Sequence, residues 1–177
     1  MISLLYEVNE YRKFLNGKVK GNFVVIELGP HLGQATKLYL DRTKQTIVVD
    51  KSIQAETAMK KIQSQNLRFI KGDVRSFKTI QEVLEITKGC DLLAVDMGGG
   101  RYPDTVFKVW AVWSGIFKPR HSVIRNRGLA EFTQRVEVRD KSIKKEFPDD
   151  GWMSTWGRAL PHHLKKQMQE FKFWIDV

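Results

Sequence analysis

The sequence predicts an α/β protein in which helices cover both faces of a mostly parallel sheet, forming a three-layer sandwich. Short apolar runs alternate with segments of helical periodicity, and four of the runs lead into an acidic residue at a constant spacing. Alternating strands and helices build parallel sheets, because each helix returns the chain to the edge where the next strand begins. We therefore expect one open sheet with a ligand crevice at the carboxyl ends of its strands.

The predicted strands are short and rich in β-branched or aliphatic residues, as is typical of strands buried on both faces. The first is the run VVI at 24–26, which is followed by Glu27 and a glycine-rich turn. QTIVVD at 45–50, LRFIKGD at 67–73 and CDLLAVD at 90–96 follow, and SVIRNRG predicts a fifth strand.

The segments between these strands have apolar residues at helical spacing, and Ser52 and Ser76 are in position to cap two of the helices. Residues 2–17 predict an N-terminal helix that ends at Gly17. PDTVFKVWAVWSGIF predicts a strongly apolar helix, in which Trp110 and Trp113 are interpreted as core residues.

The remaining C-terminal part contains less regular patterns. GLAEFTQRVEV predicts a helix, or a helix leading into a strand, and EFPDDGWMSTWGR predicts a loop or lid. The last segment predicts a helix that begins at Pro161 and then an alternating strand through Phe171, Phe173 and Ile175.

Four acidic residues recur at intervals of 23 residues, the length of one strand-helix unit. They are Glu27, Asp50, Asp73 and Asp96. Equal units place these acids at equivalent positions, the carboxyl ends of four successive strands, where an open α/β sheet binds its ligand. A single Asp after a strand is often only a turn or cap residue, but four at one spacing favour a shared site.

The turn ELGPHLG fits neither of the two best-known phosphate-binding patterns. A dinucleotide fingerprint needs a glycine where His31 stands, and no Gly-Lys-Ser/Thr of a P-loop follows. The carboxylate of Glu27 would repel a pyrophosphate but attract a cationic amino group. The turn therefore indicates a ligand that carries an amino group.

Length and composition indicate one cytoplasmic domain over residues 1–177. The chain has 177 residues, a mass of 20.6 kDa and 42% hydrophobic residues, enough for one core. Its apolar runs are shorter than a membrane span, and its N-terminus lacks the features of a secretory signal.

The single cysteine, Cys90, excludes an internal disulfide and a cysteine-rich metal site. His162 and His163 lack partners in a metal-binding pattern, so no metal is expected.

The net charge of +10 favours a polyanionic partner. Residues 101–177 carry 15 basic and 9 acidic residues, whereas residues 1–100 carry 15 and 11. The positive charge is thus concentrated in the shorter second part, which includes the basic stretch KPRHSVIRNR at 118–127.

Over residues 1–127 the chain resembles the class I S-adenosylmethionine-dependent methyltransferases, a Rossmann-like family with a mostly parallel sheet of six or seven strands. The resemblance rests on ELGPHLG after the first strand, the acid that ends TIVVD, the acid of GDV, and the acid that opens AVDMGGG. His31 is a departure, because many members have glycine there.

The resemblance implies S-adenosylmethionine as cofactor and a role for each acid. Glu27 would face the ammonium of the methionine group, Asp50 would accept the two ribose hydroxyls, and Asp73 would accept the adenine amino group. Ile53 or Met97 would cover the adenine ring. The full set predicted to bind the cofactor is Glu27, Gly29, Pro30, His31, Gly33, Asp50, Lys51, Asp73, Val74, Asp96 and Met97.

The predicted catalytic residue is Asp96, which faces the acceptor. The loop DMGGG lacks the Asn/Asp-Pro-Pro-aromatic signature of many amino-group methyltransferases, and Cys90 lies at the wrong end of its strand for carbon methylation. The acceptor is predicted to be RNA, through Arg120, Arg125, Arg127 and Trp152, with Trp156 as a further stacking candidate. Arg125 and Arg127 cannot act as bases.

Two alternatives stay open from the residues alone. One is a methyltransferase for a small molecule or a protein, and the other is a non-catalytic adenosine-binding module of the same fold. The sequence does not identify a general base or the oligomeric state.

Overall fold

A computed structural model describes residues 1–140, 142, 147, 149–153 and 161–177. These residues contain six strands, which are β1 (Ile2–Leu5), β2 (Val24–Leu28), β3 (Gln45–Asp50), β4 (Leu67–Lys71), β5 (Leu92–Val95) and β6 (His121–Arg125). The strands form one sheet in the order β1-β6-β5-β2-β3-β4, and every neighbouring pair is parallel. The predicted fold class, a Rossmann-like α/β fold with six or seven mostly parallel strands, is confirmed.

Seven α-helices connect or follow these strands in the described residues. They are α1 (Val8–Lys18), α2 (Thr36–Tyr39), α3 (Ile53–Lys60), α4 (Phe77–Ile86), α5 (Pro103–Phe117), α6 (Arg127–Arg135) and α7 (Leu164–Gln169). Short 3₁₀ helices follow α2 (Leu40–Arg42) and β5 (Gly98–Gly100) and precede α7 (Pro161–His163). Ser52 and Ser76 accept hydrogen bonds from the first turns of α3 and α4, as predicted.

The core lies on both faces of the sheet. On one face, α1 and α2 pack Leu15 and Tyr39 against Val25 of β2, and α3 packs Met59 against Val48 of β3. The other face is covered by α4, α5 and α7, whose buried residues belong to one cluster with alternate residues of the strands. Successive side chains of a strand point to opposite faces, so each central strand contributes to both layers.

Trp110 and Trp113 are core residues of α5, as predicted, with 3% and 0% of their surface exposed. Each indole N–H finds a buried acceptor. Trp110 donates to Ser122 Oγ at 2.9 Å, and Trp113 donates to the carbonyl of Val74 at 2.8 Å. The second bond ties the helix to the segment that follows β4.

The chain reverses its direction across the sheet between β2 and β5. From β2 it proceeds outward to β3 and β4, whereas from β5 it proceeds to β6 on the other side. Such a reversal opens a crevice at the carboxyl ends of the two strands, where ligands of open α/β sheets bind. The four predicted acids lie at this edge, at or just beyond the carboxyl ends of four neighbouring strands, with Glu27 as the second-last residue of β2.

The N-terminal prediction is wrong in part. Residues 2–5 form strand β1, paired with β6, and the helix begins only at Val8. The apolar residues at 2, 4 and 5 fit a strand as well as a helix, and pairing along β6 decides between them. Gly17 lies within α1 and does not end it, because the helix continues to Lys18 and is followed by extended Val19.

The C-terminal strand is also wrong. Residues 171–175 form no strand, and only Ile175 makes an isolated parallel bridge, to Ser76. Phe171 is 59% exposed, so the alternating aromatic residues do not line a buried sheet face. GLAEFTQRVEV does contain the predicted helix, α6. Most of the predicted loop EFPDDGWMSTWGR lies outside the described residues.

Candidate functional site

A cleft of about 780 Å³ opens at the carboxyl ends of the strands, around the point where the chain reverses. This volume is within the usual range for small-molecule sites. The predicted cofactor-binding residues that line it are Glu27, Gly29, Pro30, His31, Asp50, Lys51, Asp73, Val74, Asp96 and Met97. Gly33 and Ile53 do not line it: Gly33 faces Met59 of α3, and Ile53 is 72% exposed.

The turn after β2 crosses the end of β5 in close contact. Gly29 has φ of 83°, and a Cβ at this position would collide with the carbonyl oxygen of Asp96. Its N–H donates to Val49 O at 2.9 Å, while Asp96 N–H donates to Leu28 O at 3.0 Å. The glycine therefore lets the turn lie directly against the fourth-strand loop.

Glu27 is a buried carboxylate, with 1% of its surface exposed. Its Oε2 accepts hydrogen bonds from the hydroxyls of Thr36 and Tyr39 on α2. Burial raises the pKa of Glu27, the two hydroxyl bonds oppose that rise, and Asp96 adds to it. Such a carboxylate at the wall of a cleft favours a cationic group beside it.

Asp50 ends β3 and faces the same cleft. Its Oδ1 accepts the N–H of Ser52 at 2.8 Å, and its Oδ2 accepts the N–H of His31 at 3.2 Å. His31 has φ of 49°, so the backbone of the first turn takes a left-handed conformation to make this contact. A carboxylate has about four lone-pair positions, so each oxygen of Asp50 retains capacity for a ligand hydroxyl.

The carboxylate of Asp73 is held by two cations, which sequence reasoning did not predict. Arg75 binds it bidentately, at 3.0 Å from Nε and 2.9 Å from Nη2, and also donates its backbone N–H at 2.9 Å. Lys51 adds a contact at 3.1 Å. Burial alone would raise the pKa of Asp73, but these bonds outweigh it and hold the pKa well below its ordinary value.

The Asp73 bonds bear on the predicted contact with an adenine amino group. Four hydrogen bonds occupy the acceptor positions of this carboxylate, so a ligand amino group can reach it only by displacing Lys51 or Arg75. The side chain of Lys51 is 69% exposed and is the easier of the two to displace.

Asp96 follows β5 and forms an ion pair with Arg125, the last residue of β6. Nη1 lies 2.6 Å from Oδ1, and Nη2 donates to the carbonyl of Gly99 at 3.2 Å. Gly98, Gly99 and Gly100 all have positive φ. The hydrogen bond from Arg125 therefore stabilises a glycine turn with a left-handed backbone. Burial raises the pKa of Asp96, and the charge of Arg125 opposes that rise.

The residues predicted to bind RNA are divided between opposite edges of the sheet. Arg125 lines the cleft, and Arg127 lies at the same edge in an ion pair with Glu7 at 3.4 Å. Arg120 precedes β6 and lies 3.8 Å from Asp91, which precedes β5, so it belongs to the amino-terminal edge. Arg120 therefore does not lie beside the Asp96 cleft.

Trp152 also lies at the amino-terminal edge. Lys118, just before β6, sits over its ring at 5.6 Å, and the neighbouring Gly151 donates its N–H to Pro119 O at 3.1 Å. Trp152, the predicted base-stacking residue, therefore does not lie beside the Asp96 cleft. Trp156 lies outside the described residues.

The cleft contains two arginines that sequence reasoning missed, Arg12 and Arg101. Arg12 reaches it from α1, four residues after Val8, which lines the cleft on the same side of the helix. Arg101 follows the glycine turn, where Asn126 binds its carbonyl at 2.7 Å. Helical spacing could place Arg12 on the face of Val8, but it could not place that face over the cleft.

No helix among the described residues is long and apolar enough to cross a membrane. The same residues contain no group of three or more His, Cys, Asp or Glu side chains able to hold a metal ion.

No protein-family model and no curated protein matches the sequence. Among solved structures, the chain is similar to an rRNA methylase from Streptococcus thermophilus (9% identity, TM-score 0.48), with 73% of this chain and 80% of that one covered. It is similar to the 23S rRNA methyltransferase ErmE (13% identity, TM-score 0.43; 66% and 45% covered). It is also similar to precorrin 8w decarboxylase from Methanobacterium thermoautotrophicum (18% identity, TM-score 0.41; 56% and 60% covered).

The chain spans less than two thirds of the length of the last two structures. Similarity at this level is limited to the fold. The order and direction of the strands define a Rossmann-like α/β protein with its cleft at the switch point between β2 and β5.

Proposed function

We propose that the protein is an S-adenosylmethionine-dependent methyltransferase. The observation that carries the proposal is the convergence of Glu27, Asp50, Asp73 and Asp96, one from each of four neighbouring strands, on a single cleft. Four carboxylates on one strand edge, next to a glycine turn, suit a ligand that has a positive charge, several hydroxyls and a planar base.

The cofactor-binding part of the cleft fits S-adenosylmethionine in charge. Glu27, Asp50 and Asp73 stand there against the cations Lys51 and Arg75, which leaves an excess of one acidic group. S-adenosylmethionine has an ammonium, a carboxylate and a sulfonium, and thus one net positive charge. Opposite net charges favour binding in a partly buried cleft.

Three of the predicted cofactor residues, Glu27, Asp50 and Val74, have roles that their positions support. Glu27 would receive the ammonium group, Asp50 the ribose hydroxyls, and the N–H of Val74 the adenine ring. The indole of Trp113 fixes the carbonyl of Val74 from the core side, and this bond orients the backbone at the cleft. The turn at Gly29 lies directly against the backbone of Asp96, so the first turn and the fourth-strand loop would line the ligand together.

The chemistry supplied by the bound cofactor is a methyl group on a positively charged sulfur. The chain contributes alignment of the acceptor and a place for the acceptor proton. Asp96 lies where such a proton acceptor is needed, and Arg125 holds its carboxylate in one orientation. Burial raises the pKa of Asp96, which makes it a better proton acceptor than an ordinary aspartate.

We propose RNA as the acceptor. The net charge of +10 supports a polyanion, and Arg12, Arg101 and Arg127 lie at the edge of the sheet where the cleft opens. A small molecule or a protein is the alternative acceptor class. Arg120 and Trp152 do not support this acceptor, because they lie at the opposite edge of the sheet from the cleft.

A transfer assay tests the proposal. Purified protein is incubated with methyl-labelled S-adenosylmethionine and total RNA, total protein or a small-molecule extract, and the label in each fraction is counted. We expect label in RNA, and none with Asp50→Ala. Label only in the protein or small-molecule fraction would contradict RNA as the acceptor and favour the alternative class. Label in no fraction would contradict methyltransferase activity.

A further inference from the structure

We propose that Arg12 and Arg101 bind a phosphate group of the methyl acceptor, at the end of the cleft where Asp96 lies. This inference rests on the proposed methyltransferase function and names the chemistry by which its acceptor is held. Two observations support it, the positions of the two guanidinium groups and the charges around Asp96.

Arg12 and Arg101 differ from the other arginines of the cleft in having no ion-pair partner among the described residues. Arg75 is paired with Asp73 at 2.9 Å, and Arg125 with Asp96 at 2.6 Å. No described carboxylate lies within 4.0 Å of either Arg12 or Arg101. Both guanidinium groups are therefore available to a ligand.

The charge around Asp96 is opposite to that of the cofactor part. Arg125 and Arg12 both act on the carboxylate of Asp96 through their positive charges, and Arg101, five residues after Asp96, lines the same cleft. Arg12 is close enough to Asp96 to lower its pKa through charge, against the rise caused by burial. The cleft is thus negative where the cofactor would bind and positive where the acceptor would enter.

Arginine suits phosphate better than it suits most other anions. Its planar group presents five N–H donors that match two phosphate oxygens at once, and it stays charged at every physiological pH. Arg12 lies on α1 and Arg101 follows the glycine turn, so a phosphate bound by both would connect the acceptor to two separate elements of the cleft wall.

The neighbour of Arg101 favours a phosphate that belongs to a nucleotide. Tyr102 lines the cleft with 60% of its surface exposed, and it is held at φ of 58°, which is unusual for an aromatic residue. Exposed aromatic rings beside basic groups stack on unpaired bases. The phosphate could come from an RNA backbone or from a free mononucleotide, and the experiment has one arm for each.

The experiment compares two double variants that lose the same charge. Arg12→Ala/Arg101→Ala removes the proposed contacts, whereas Arg68→Ala/Arg135→Ala removes two arginines outside the cleft. Binding of a fluorescent 12-nucleotide oligouridine is measured by anisotropy over a series of salt concentrations, and binding of uridine 5′-monophosphate by calorimetry. Both are measured with and without S-adenosylhomocysteine.

We expect the cleft variant to bind the oligonucleotide at least about tenfold more weakly at low salt. Its log-log salt slope should be shallower by about 0.7, because the variant loses its contact with one phosphate and each phosphate contact contributes about 0.7. The control variant should lose less than half of that slope. A mononucleotide that binds the wild type and not the cleft variant also supports the site, and it assigns the phosphate to a small acceptor.

Equal losses in the two double variants would overturn the proposal, as would wild-type protein that binds neither probe. Two further variants replace the double alanine variant if it fails to fold. Arg12→Lys/Arg101→Lys keeps both positive charges, and Arg101→Ala alone changes a single exposed side chain. Titration with S-adenosylhomocysteine separates the claims. If the wild-type protein does not bind S-adenosylhomocysteine but binds the oligonucleotide or uridine 5′-monophosphate, the methyltransferase proposal fails and the proposed phosphate site is retained.

Discussion

Arg125 Nη1 lies 2.6 Å from Asp96 Oδ1, and the two side chains are only 8% and 19% exposed. The pair connects the carboxyl end of β6 with the residue that follows the adjacent strand β5, and both residues line the cleft. Arg125 Nε has no hydrogen-bond partner in the described part of the chain, so the guanidinium depends on Asp96 and on the Gly99 carbonyl. Removing the carboxylate would leave a buried cation without its counter-charge.

Asp96→Ala should lower the free energy of unfolding by about 3–5 kcal/mol, the usual cost of removing one partner from a buried ion pair. Urea denaturation at neutral pH measures the loss. In the double variant Asp96→Ala/Arg125→Met the unpaired cation is gone, and much of the stability should return. A single variant within about 1 kcal/mol of wild type, or a double variant no more stable than the single one, would contradict a structural role for the pair.

Gly29→Ala should destabilise the protein by about 2–4 kcal/mol. The residue has φ of 83°, and its new methyl group would meet the backbone of Asp96, which cannot move without shifting β5. Gly17→Ala is the matched control, since nothing lies within 4 Å of a Cβ in that part of α1. It should stabilise the helix by about 0.5–1 kcal/mol. Thermal and urea unfolding of both variants check the contrast, and similar effects at both sites would refute it.

Glu27→Gln should make the protein more stable at neutral pH and weaken its binding of S-adenosylhomocysteine at least about tenfold. Burial raises the pKa of Glu27 above its ordinary value of 4.5. The stability from this group is therefore fully present below about pH 4.5 and is lost as the pH rises through the raised pKa. A glutamine carries no charge, so its advantage over wild type should grow with pH across that window.

Glu56→Gln is the control, because the pKa of Glu56 is shifted in the opposite direction from that of Glu27. Its hydrogen bonds with Lys60 and Lys71 lower the pKa of Glu56 to about 2, so its contribution exists above pH 4.5 and disappears as the pH falls toward 2. The variant should lose stability at neutral pH, by a small amount because both lysine partners of Glu56 are exposed. Unfolding curves between pH 3 and 8 test both residues. A Glu27→Gln advantage that is independent of pH would contradict the account.

The sequence-based predictions succeed where the physics is local or periodic. The strands at Val24–Leu28 and Gln45–Asp50 are apolar runs that end at sharp turns, and parallel connections bring their carboxyl ends to one edge. The convergence of the acids follows from that rule and from the 23-residue spacing. Ten of the eleven predicted cofactor residues therefore line the cleft, with Gly33 as the exception.

The predictions fail where tertiary packing decides. The basic stretch at 118–127 contains strand β6, whose five residues span roughly 16 Å, so Arg120 and Arg125 fall on opposite edges of the sheet. Arg12 lies on a helix whose place over the cleft depends on the pairing of β1 with β6, which the N-terminal pattern did not predict. The bidentate contact of Arg75 with Asp73 is different, because the two residues are only two apart and the conformation of the turn after β4, which the sequence pattern does not specify, brings them together.

The central claim is that the four-acid cleft binds the methyl donor, and titration calorimetry with S-adenosylhomocysteine tests it most directly. We expect one site per chain, and a loss of about 2–4 kcal/mol of binding free energy in Asp50→Ala, which removes two charge-assisted hydrogen bonds. Asp41→Ala, an exposed acid outside the cleft, should bind as wild type does. A folded wild-type protein that binds no S-adenosylhomocysteine, or that binds NAD in preference, would contradict the account.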